Sequence, residues 1–445
     1  MLPTNRGIFC LEKDTILTNR RARVAGKNAQ PIRHGILKGN GPIRAALRIV
    51  GAVVAIAIVS ITSIAGIAVF QTLSAIKPVV HLAQLPGQKL APPPQVGAIS
   101  GAVNLLLAGT DTRTGQAGFQ NKADLAGSSG AGNNDVTMVL HISADHTHAV
   151  VISIPRDELV TIPGCPQPNG STRPGATMTM FNTTVSRGGL PCVVLAAEQL
   201  TGLNIQYAAL ISFDGVIGMS DAIGGVSVCL ATPIIDKYTG LNLPAGNVTL
   251  QGADALAFVR SRHGVGDGSD LGRISSQQMF LSALLRKVSS DGVLTNPLTL
   301  FNLANAAVHN MQFTDTLSQP TTMVAIALAL KHIALSNIVF VQYPTKSNPT
   351  YPGRVVADEP ADSILNAALA ADTPLTLSGK LGRATVLAPG APSLAPASPP
   401  PSGPASPSSS PSVSATPSPT AGVALPTDVT GQTAAQQTCV KGSQR

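Results

Sequence analysis

The feature that most restricts how this chain can fold is a run of 22 residues without a charge, Ile49–Phe70. As an α-helix such a run is about 33 Å long, which is enough to cross the hydrocarbon core of a bilayer. The run is too long for the core of a signal peptide, and no small-residue cleavage site stands out after it. We therefore predict one transmembrane helix, residues 49–70, with a cleaved signal as the alternative. Either reading places the rest of the chain outside the cell.

The charges of the chain are concentrated before this run. Residues 1–48 hold ten Lys and Arg against Glu12 and Asp14, which accounts for the entire net charge of +8. By the positive-inside rule residues 1–48 are a basic cytoplasmic arm, and the protein is predicted to be a single-pass protein of the cell membrane. Because the remaining bases and acids balance, a nucleic-acid partner is not expected.

Composition divides the remainder of the chain into three parts. Residues 71–100 contain Pro78, Pro86 and Pro92–Pro94 and are predicted to form a short stalk. Residues 101–385 have the alternation of apolar runs that a folded extracytoplasmic domain requires. Residues 386–445 begin with a long Pro/Ser/Ala/Thr-rich stretch and are predicted to be a disordered tail.

The folded domain is predicted to be an α/β domain. Short continuous apolar runs predict strands, and runs with helical spacing predict helices between them. Strands that alternate with helices indicate a central sheet sandwiched by helices. The predicted strands are 103–108, 136–142, 149–154, 208–213, 226–230 and 338–343, and the predicted helices are 192–200, 214–223, 280–288 and 323–332.

Four of the five cysteines lie on the predicted outer side, where disulfides persist. Four cysteines allow three pairings. We favour a Cys165–Cys192 disulfide because both residues flank loop-like Pro/Gly sequence. Cys229 lies in a predicted strand and needs no partner if it is buried.

The stretch Ala257–Gln278 collects three arginines in a glycine-rich segment. Arg260 and Arg262 are two residues apart, so in an extended segment both would point to one face. The turn at 264–268 would then bring Arg273 back towards them. Because the planar guanidinium fork suits phosphate oxygens, the cluster predicts a phosphate or pyrophosphate site.

Further charged residues follow predicted strands. Asp111 and Arg113 come directly after the first strand, and Asp135 stands at the entry to the second. Two converging carboxylates beside arginines fit Mg²⁺ (or Mn²⁺), which takes one or two acids and substrate phosphates. Arg156 and Asp157 end the third strand, where they could join the arginine cluster or form only a structural ion pair.

Six sequence blocks, in this order behind one membrane span, resemble the LytR–CpsA–Psr (LCP) family of cell-envelope glycopolymer transferases. The resemblance covers residues 104–287, and each block alone would be weak. It implies an LCP-like domain with a central mixed sheet. The low aromatic content and the Pro/Ser tail are typical of actinobacterial members. The blocks are LLLAGTDTR, NNDVTMVLHIS, VISIPRD, NTTVSRGG, SFDGVIGMSDAIGGVSV and LQGADALAFVRSR followed by DLGRISSQQ.

The resemblance implies a role for each matching residue. Asp111 and Asp135 correspond to the acids that bind magnesium. Asp135, Arg156 and Asp157 are the candidate catalytic residues; either acid could be the general base, or metal activation of the hydroxyl could suffice. The residues that correspond to a pyrophosphate site are Arg113, Arg156, Arg260, Arg262, Arg273 and Gln277. Among the histidines His263, next to Arg262, is the best placed to meet substrate.

The family implies a membrane-anchored phosphotransferase that moves a glycopolymer from a polyprenyl-pyrophosphate carrier to the muramic acid 6-hydroxyl of peptidoglycan. The polymer could be arabinogalactan, a teichoic acid or a capsular chain. Asn133 and Ser276 stand where the family often has arginine. Pyrophosphate could therefore be bound more weakly here, by other residues, or on a different carrier. The alternatives are a polyprenyl-pyrophosphate hydrolase, a non-catalytic envelope regulator or lipid-carrier binder, and a transcription attenuator, which the predicted location opposes.

Overall fold

The computed structural model of the protein describes residues 50–51, 79–83, 85, 100–116, 128, 130–290, 293, 296–391 and 422–443. The predicted cytoplasmic arm lies outside these residues, and so does the predicted membrane span except for Val50 and Gly51. No helix within the described residues combines the length and the apolar character needed to cross a bilayer. Of the predicted stalk, residues 79–83, 85 and 100 are described, and Val80 pairs with Thr314.

The described residues form seven helices and 21 strands, several of them only two or three residues long. The helices are α1 (Thr184–Thr201), α2 (Phe213–Ala222), α3 (Gly252–Arg260), α4 (Asp270–Ser290), α5 (Pro297–Asn310), α6 (Pro320–His332) and α7 (Glu359–Ala370). The strands are β1 (Val103–Thr110), β2 (Asn134–Ile142), β3 (Ala149–Ile154), β4 (Leu159–Ile162), β5 (Cys165–Pro166), β6 (Thr172–Arg173), β7 (Ala176–Met180), β8 (Tyr207–Ile211), β9 (Val226–Leu230), β10 (Ile234–Asp236), β11 (Leu241–Leu243), β12 (Gly246–Leu250), β13 (Met311–Phe313), β14 (Ile338–Gln342), β15 (Thr345–Ser347), β16 (Val355–Ala357), β17 (Leu375–Leu377), β18 (Thr385–Leu387), β19 (Val423–Leu425), β20 (Gly431–Thr433) and β21 (Thr438–Val440).

The central sheet has seven strands in the order β13-β8-β1-β2-β3-β14-β20. Strands β1 and β8 are parallel, as are β3 and β14, whereas β1, β2 and β3 are antiparallel neighbours. The sheet is therefore mixed, and the predicted α/β class with a central mixed sheet is confirmed.

Both faces of the central sheet are covered, because its apolar strands alternate between two cores. Leu106 of β1 packs in one core with Val193 of α1 and Leu365 of α7. Met138 of β2 points to the other core, which includes Ile326 of α6. Burial of aliphatic side chains on both faces explains the continuous apolar runs of these strands.

A second sheet, in the order β12-β9-β21-β18, lies against α3 and α4 and forms a third core. Its inner strand β21 comes from the C-terminal segment, and β20 of the same segment adds an edge to the central sheet by pairing with β14. The prediction of a disordered tail over residues 386–445 is thus wrong for residues 422–443. Residues 392–421 lie outside the described part of the chain.

Two disulfides join distant parts of this domain. The predicted pair Cys165–Cys192 is confirmed. Cys229 is not an unpartnered core residue as its strand position suggested, because it is bonded to Cys439. Since β9 and β21 are parallel neighbours with Cys229 opposite Cys439, strand pairing itself brings the two sulfurs together.

Candidate active site

The first acidic residue of the site is positioned by the end of β1. The Asp111 carboxylate accepts hydrogen bonds from the Ser128 hydroxyl and the Asn133 backbone N–H, both at 2.6 Å. The Asn133 side-chain amide donates a third, at 3.1 Å. Gly132 is required here, because a Cβ at this position would lie 2.7 Å from the Asp111 Oδ1. Asn133 therefore orients Asp111 through both its backbone and its side chain.

A β-bulge places Asp135 beside the end of β1. Gly109 pairs with Val136 and Thr110 with Asn134, so Asp135 is the extra residue between them. Bulges of this kind re-aim a side chain at the edge of a sheet. Asp135 and Asp111 consequently lie in one region, and both act electrostatically on Arg260.

Arg156 follows β3, two residues beyond the last β2–β3 pair, which is Thr137 with Ile154. Its Nη1 lies 2.7 Å from the Asp135 Oδ1. Its Nε lies 3.4 Å from Asp270 and 3.7 Å from Asp157. Burial would lower the pKa of the Arg156 guanidinium, but Asp135 and Asp270 raise it overall. Arg156 is thus neutralised by carboxylates of the protein itself.

Asp270 is the buried centre of this ion-pair group. It begins α4, and its carboxylate lies 2.6 Å from the Nη2 of Arg273, one helical turn further on. The same Nη2 donates a hydrogen bond to the backbone carbonyl of Asp135 at 2.7 Å. Burial raises the pKa of the Asp270 carboxyl, while the Arg273 and Arg156 guanidiniums oppose that shift. Arg273 therefore connects α4 to β2.

Arg260 has a different environment. It is the last residue of α3, and its guanidinium lies 4.2 Å from the centre of the Phe213 ring. Within the described residues, no carboxylate lies at ion-pair distance from it. Burial lowers the pKa of Arg260, and the nearby Arg113 lowers it further, whereas Asp135 and Asp111 raise it. Such a desolvated cation is stabilised when an anion binds next to it.

Arg262 lies in the loop after α3 rather than in an extended segment. The carboxylate of Asp236 accepts from the backbone N–H groups of Arg262 and Gly264 and from the Ser261 hydroxyl, which fixes the loop. The Arg262 Nη2 lies 3.2 Å from the His263 Nε2. The expectation that Arg260 and Arg262 share a face of an extended segment is wrong, because Arg260 ends a helix and Arg262 does not.

Gln277 lies on α4 and its amide donates to the Val259 carbonyl at 2.7 Å, so it ties α4 to α3. Asp157 pairs with Arg354, with 2.8 Å between Oδ1 and Nη1. An open cleft of about 450 Å³ borders this pair and is also lined by Arg262, His263 and Asp270.

Asp111 and Asp135 could hold a divalent cation. No group of three or more His, Cys, Asp or Glu side chains suited to a metal occurs in the part of the chain that the structure describes. Two carboxylates in one region nevertheless fit Mg²⁺, which is commonly bound by one or two acids and takes its other ligands from water and phosphate. The residues present thus fit the predicted ion only together with a ligand that supplies oxygens.

The structure brings together most of the residues that the sequence singled out. Asp135, Arg156, Asp157 and Arg273 share one ion-pair group, and Arg113 and Arg260 lie on its Asp111 side. The sequence analysis missed Asp270, Phe213 and Arg354. Only Asp270 carried a usable signal, because Asp and Arg three residues apart pair readily on a helix.

Comparisons with known proteins agree on a family. The LytR_cpsA_psr family model matches residues 81–367. The chain is 31% identical over 270 residues to the cell wall biosynthesis protein LcpA of Corynebacterium glutamicum, which covers 56% of this chain and 51% of that protein. It is 36% identical over 218 residues to the probable cell wall biosynthesis protein LcpB of the same species, 49% of each.

Other relatives are more distant. The polyisoprenyl-teichoic acid–peptidoglycan teichoic acid transferase TagU of Oceanobacillus iheyensis is 31% identical over 194 residues, 44% of this chain and 54% of that protein. The chain spans about half the length of these curated relatives. A solved LytR-Csp2A-Psr enzyme from Actinomyces oris is 22% identical, with 67% of this chain and 96% of that chain covered and a TM-score of 0.46. Since the family model matches well over half of the chain, the protein belongs to the LytR–CpsA–Psr family.

Proposed function

We propose that the protein is a membrane-anchored phosphotransferase that moves a glycopolymer from a polyprenyl-pyrophosphate carrier to the 6-hydroxyl of muramic acid in peptidoglycan. Family membership supports this proposal, as do relatives named as cell wall biosynthesis proteins and as a teichoic acid transferase. The membrane anchor rests on the charge-free run 49–70, and the catalytic domain would then lie outside the cell.

The observation that carries the proposal is the environment of Arg260. A half-buried guanidinium close to Arg113, without a carboxylate at ion-pair distance among the described residues, favours the binding of an anion. Two carboxylates, Asp111 and Asp135, lie on the same side and could hold Mg²⁺. A diphosphate satisfies both demands, because its oxygens bind guanidinium and metal alike.

In the proposed reaction the acceptor hydroxyl oxygen forms a bond to the sugar-proximal phosphorus. The bond from that phosphorus to the bridging oxygen breaks, and polyprenyl phosphate leaves with the electron pair. Phosphoryl transfer asks the protein mainly to position the groups and to stabilise the charge on the phosphoryl oxygens. Arg260 and Arg113 would do so here. A bound Mg²⁺ would add its own positive charge to the same oxygens.

The hydroxyl proton must pass to a base, and two carboxylates are available. Asp135 is paired with Arg156 and Asp157 with Arg354. A carboxylate can act as the general base when it lies within hydrogen-bond reach of the hydroxyl. Asp157 lines the open cleft, so a hydroxyl that enters the cleft can reach its carboxylate.

The test is to follow the polymer with the full-length protein in membrane vesicles, with labelled donor and peptidoglycan. Polymer on peptidoglycan supports transfer, free polymer alone supports the hydrolase alternative, and binding without either product supports the lipid-carrier binder. Arg260→Ala should lower the transfer rate by about 10²–10³-fold, as removal of one preorganised charge-stabilising group does. Lys331→Ala, which removes an exposed cation at the end of α6, is the control. Full transfer activity in Arg260→Ala would refute the site.

A further inference from the structure

Helix α6 is apolar around its whole circumference. Its residues 323–330 read MVAIALAL, which is more than two helical turns of apolar side chains. A helix on the surface of a soluble domain usually has one apolar and one polar face. Helix α7, which packs on the opposite face of the central sheet, has such a polar side and exposes Glu359 and Ser363 there. The outward side of α6 is therefore unusual for a surface in contact with water.

The domain covers one side of α6 and leaves the other exposed. Ile326 and Ala329 are buried in the core that also contains Met138 of β2. On the other side Val324 is 57% exposed and Leu328 is 42% exposed, and Ala327 is exposed as well. Residues three and four positions apart are neighbours on a helix, so these three side chains form one row. We call Val324, Ala327 and Leu328 the outer face of α6.

The N-terminal part of the chain joins the domain beside the start of α6. The Val80 N–H donates to the Phe313 carbonyl at 3.0 Å, and the Asp315 N–H donates to the Val80 carbonyl at 3.1 Å. The Asp315 carboxylate also lies 2.8 Å from the His81 Nδ1. Helix α6 begins at Pro320, and the five residues from Asp315 to Pro320 can span at most about 18 Å. The start of α6 thus lies near Val80.

The length of chain before Val79 limits how far this part of the domain can be from the bilayer. The predicted membrane span ends at Phe70, nine residues before Val79. Nine residues can span at most about 30 Å. With residues 49–70 in the bilayer, Val79 must lie within that distance of the membrane surface. The outer face of α6 is therefore an exposed apolar surface close to the point where the chain arrives from the membrane.

From these features we infer that the outer face of α6 contacts the membrane surface, with its three side chains at the boundary between lipid headgroups and acyl chains. A helix that lies on a bilayer binds by burying such an apolar row about 5–10 Å deep. This inference rests on the membrane anchor of the proposed function and goes beyond it. The anchor ties the domain to the bilayer, whereas contact through α6 determines which side of the domain faces the lipid.

A single tryptophan can report on this face, because the chain contains none. Leu328→Trp is made in the full-length protein, which is reconstituted into vesicles of phosphatidylcholine and phosphatidylglycerol with acyl chains brominated near the headgroup. Bromine quenches tryptophan at contact, so this reporter should lose most of its fluorescence relative to vesicles without bromine. Val324→Trp, one helical turn earlier, is a second reporter. Ile235→Trp, at a position of β10 that is 61% exposed, is the matched control and should keep its fluorescence.

Aqueous iodide, present on both sides of the vesicles, distinguishes lipid from the other surroundings. Quenching of both reporters by iodide but not by brominated lipid would show that the face is in water, and would overturn the inference. Protection from both quenchers would show that a second copy or another protein surface covers the face, and would overturn it as well. Val324→Glu in the Leu328→Trp background should reduce quenching by brominated lipid, because a carboxylate in the same row opposes insertion. Unchanged quenching in this variant would contradict the inference.

Flotation of the same vesicles separates this inference from the proposed function. Protein that floats with the vesicles but is not quenched by brominated lipid at either reporter would keep the anchor and refute the contact through α6. Protein that does not float would refute the anchor and the contact together. Val324→Glu should float like the parent protein, because the predicted span is unchanged. Transfer of labelled polymer by the parent protein tests the proposed reaction independently of both results.

Discussion

The arginines on the two sides of the candidate site differ in whether a carboxylate lies at ion-pair distance from them. Arg156 lies within 4 Å of three carboxylates and Arg273 of two, so their charges are balanced inside the protein. Arg260 rests on the Phe213 ring, and no carboxylate in the described part of the chain is at ion-pair distance from it. All three were predicted from the sequence to bind pyrophosphate. The difference indicates that the balanced arginines hold the site together, whereas Arg260 is available to a ligand.

Arg156 contacts two acids that have different roles in the site. Its guanidinium bridges Asp135, which could hold a metal, and Asp270, which anchors α4. A ligand that binds Asp135 through a cation would compete for one of these contacts. Arg156 can therefore act on substrate only to the extent that the ion-pair group rearranges, and Arg260 needs no such change.

The largest expected effect on stability comes from removing one of the arginines that are paired with carboxylates. Arg273→Ala removes one of the two cations beside the buried Asp270 and the hydrogen bond to the Asp135 carbonyl. Breaking a buried ion pair from one side should lower the free energy of unfolding by about 3–5 kcal/mol. Arg260→Ala, which loses a cation–π contact, should cost about 1 kcal/mol or less. Denaturant unfolding of both variants measures this difference.

Arg273→Lys provides a second variant for this prediction, because it keeps the charge but loses the planar fork. We expect a loss of free energy of unfolding between those of the two alanine variants. If Arg260→Ala and Arg273→Ala were equally destabilised, the distinction between a structural and a ligand-binding arginine would not hold.

A smaller effect on stability is expected when the disulfide of the C-terminal segment is removed. This segment forms hydrogen bonds with the loop that contains Arg262. The Gly266 N–H donates to the Lys441 carbonyl at 3.0 Å and the Ser443 N–H to the Gly264 carbonyl at 2.9 Å. Replacing both Cys229 and Cys439 by serine should lower the free energy of unfolding by about 2–4 kcal/mol. Hydrogen exchange should then accelerate in residues 261–268 more than in the first turns of α4.

The other disulfide is the matched control for this prediction. A Cys165→Ser, Cys192→Ser variant removes a bond that lies between β5 and α1, away from the arginine loop. It should leave the exchange of residues 261–268 close to that of the parent protein. Equal acceleration of this loop in both variants would show that the C-terminal segment has no specific hold on it.

The sequence predicted the parts of the fold that depend on local pattern. Strands β3 and β9 begin and end where their apolar runs do, at 149–154 and 226–230. It failed at α3, which ends at Arg260 where an extended segment was expected, and at the start of α4, where Gly272 and two serines reduce the helical signal. There Phe258 and Phe280 pack with ring centres 6.1 Å apart, so tertiary packing outweighs local propensity.

The sequence predicted which residues form the site, but not which ion pairs they make with one another. The residue types indicated that Arg260 and Arg273 would have anionic partners. They did not indicate that Asp270 of the protein itself is the partner of Arg273. The C-terminal strands were missed for a related reason. Each has three residues, and β21 is stabilised by Cys229, which lies 210 residues away in the sequence. Contacts over such separations leave no local pattern to detect.

The smallest effect concerns Glu198, a buried acid that, unlike Asp270, has no cation at ion-pair distance within the part of the chain that the structure describes. Burial raises the pKa of Glu198 in α1 to about 7, although the Ile205 N–H, at 2.8 Å from its Oε1, lowers it. Because the folded protein favours the protonated acid, this contribution to stability is complete below the unfolded pKa of about 4.3. It decreases as the pH rises and is lost above about pH 7.

Glu198→Gln keeps an acceptor for the Ile205 N–H and cannot ionise. Relative to the parent protein, it should therefore gain thermal stability at pH 8 and gain little or nothing at pH 4.5. Melting temperatures at the two pH values measure this, and Glu359→Gln, at an exposed position of α7, controls for the loss of a formal charge. A stability difference of the same size at both pH values would show that burial does not raise the pKa of Glu198 in the folded protein. Burial alone would then not be enough to keep an acid protonated in this protein. Glu198 would no longer provide a contrast to Asp270, whose charge is balanced by Arg156 and Arg273.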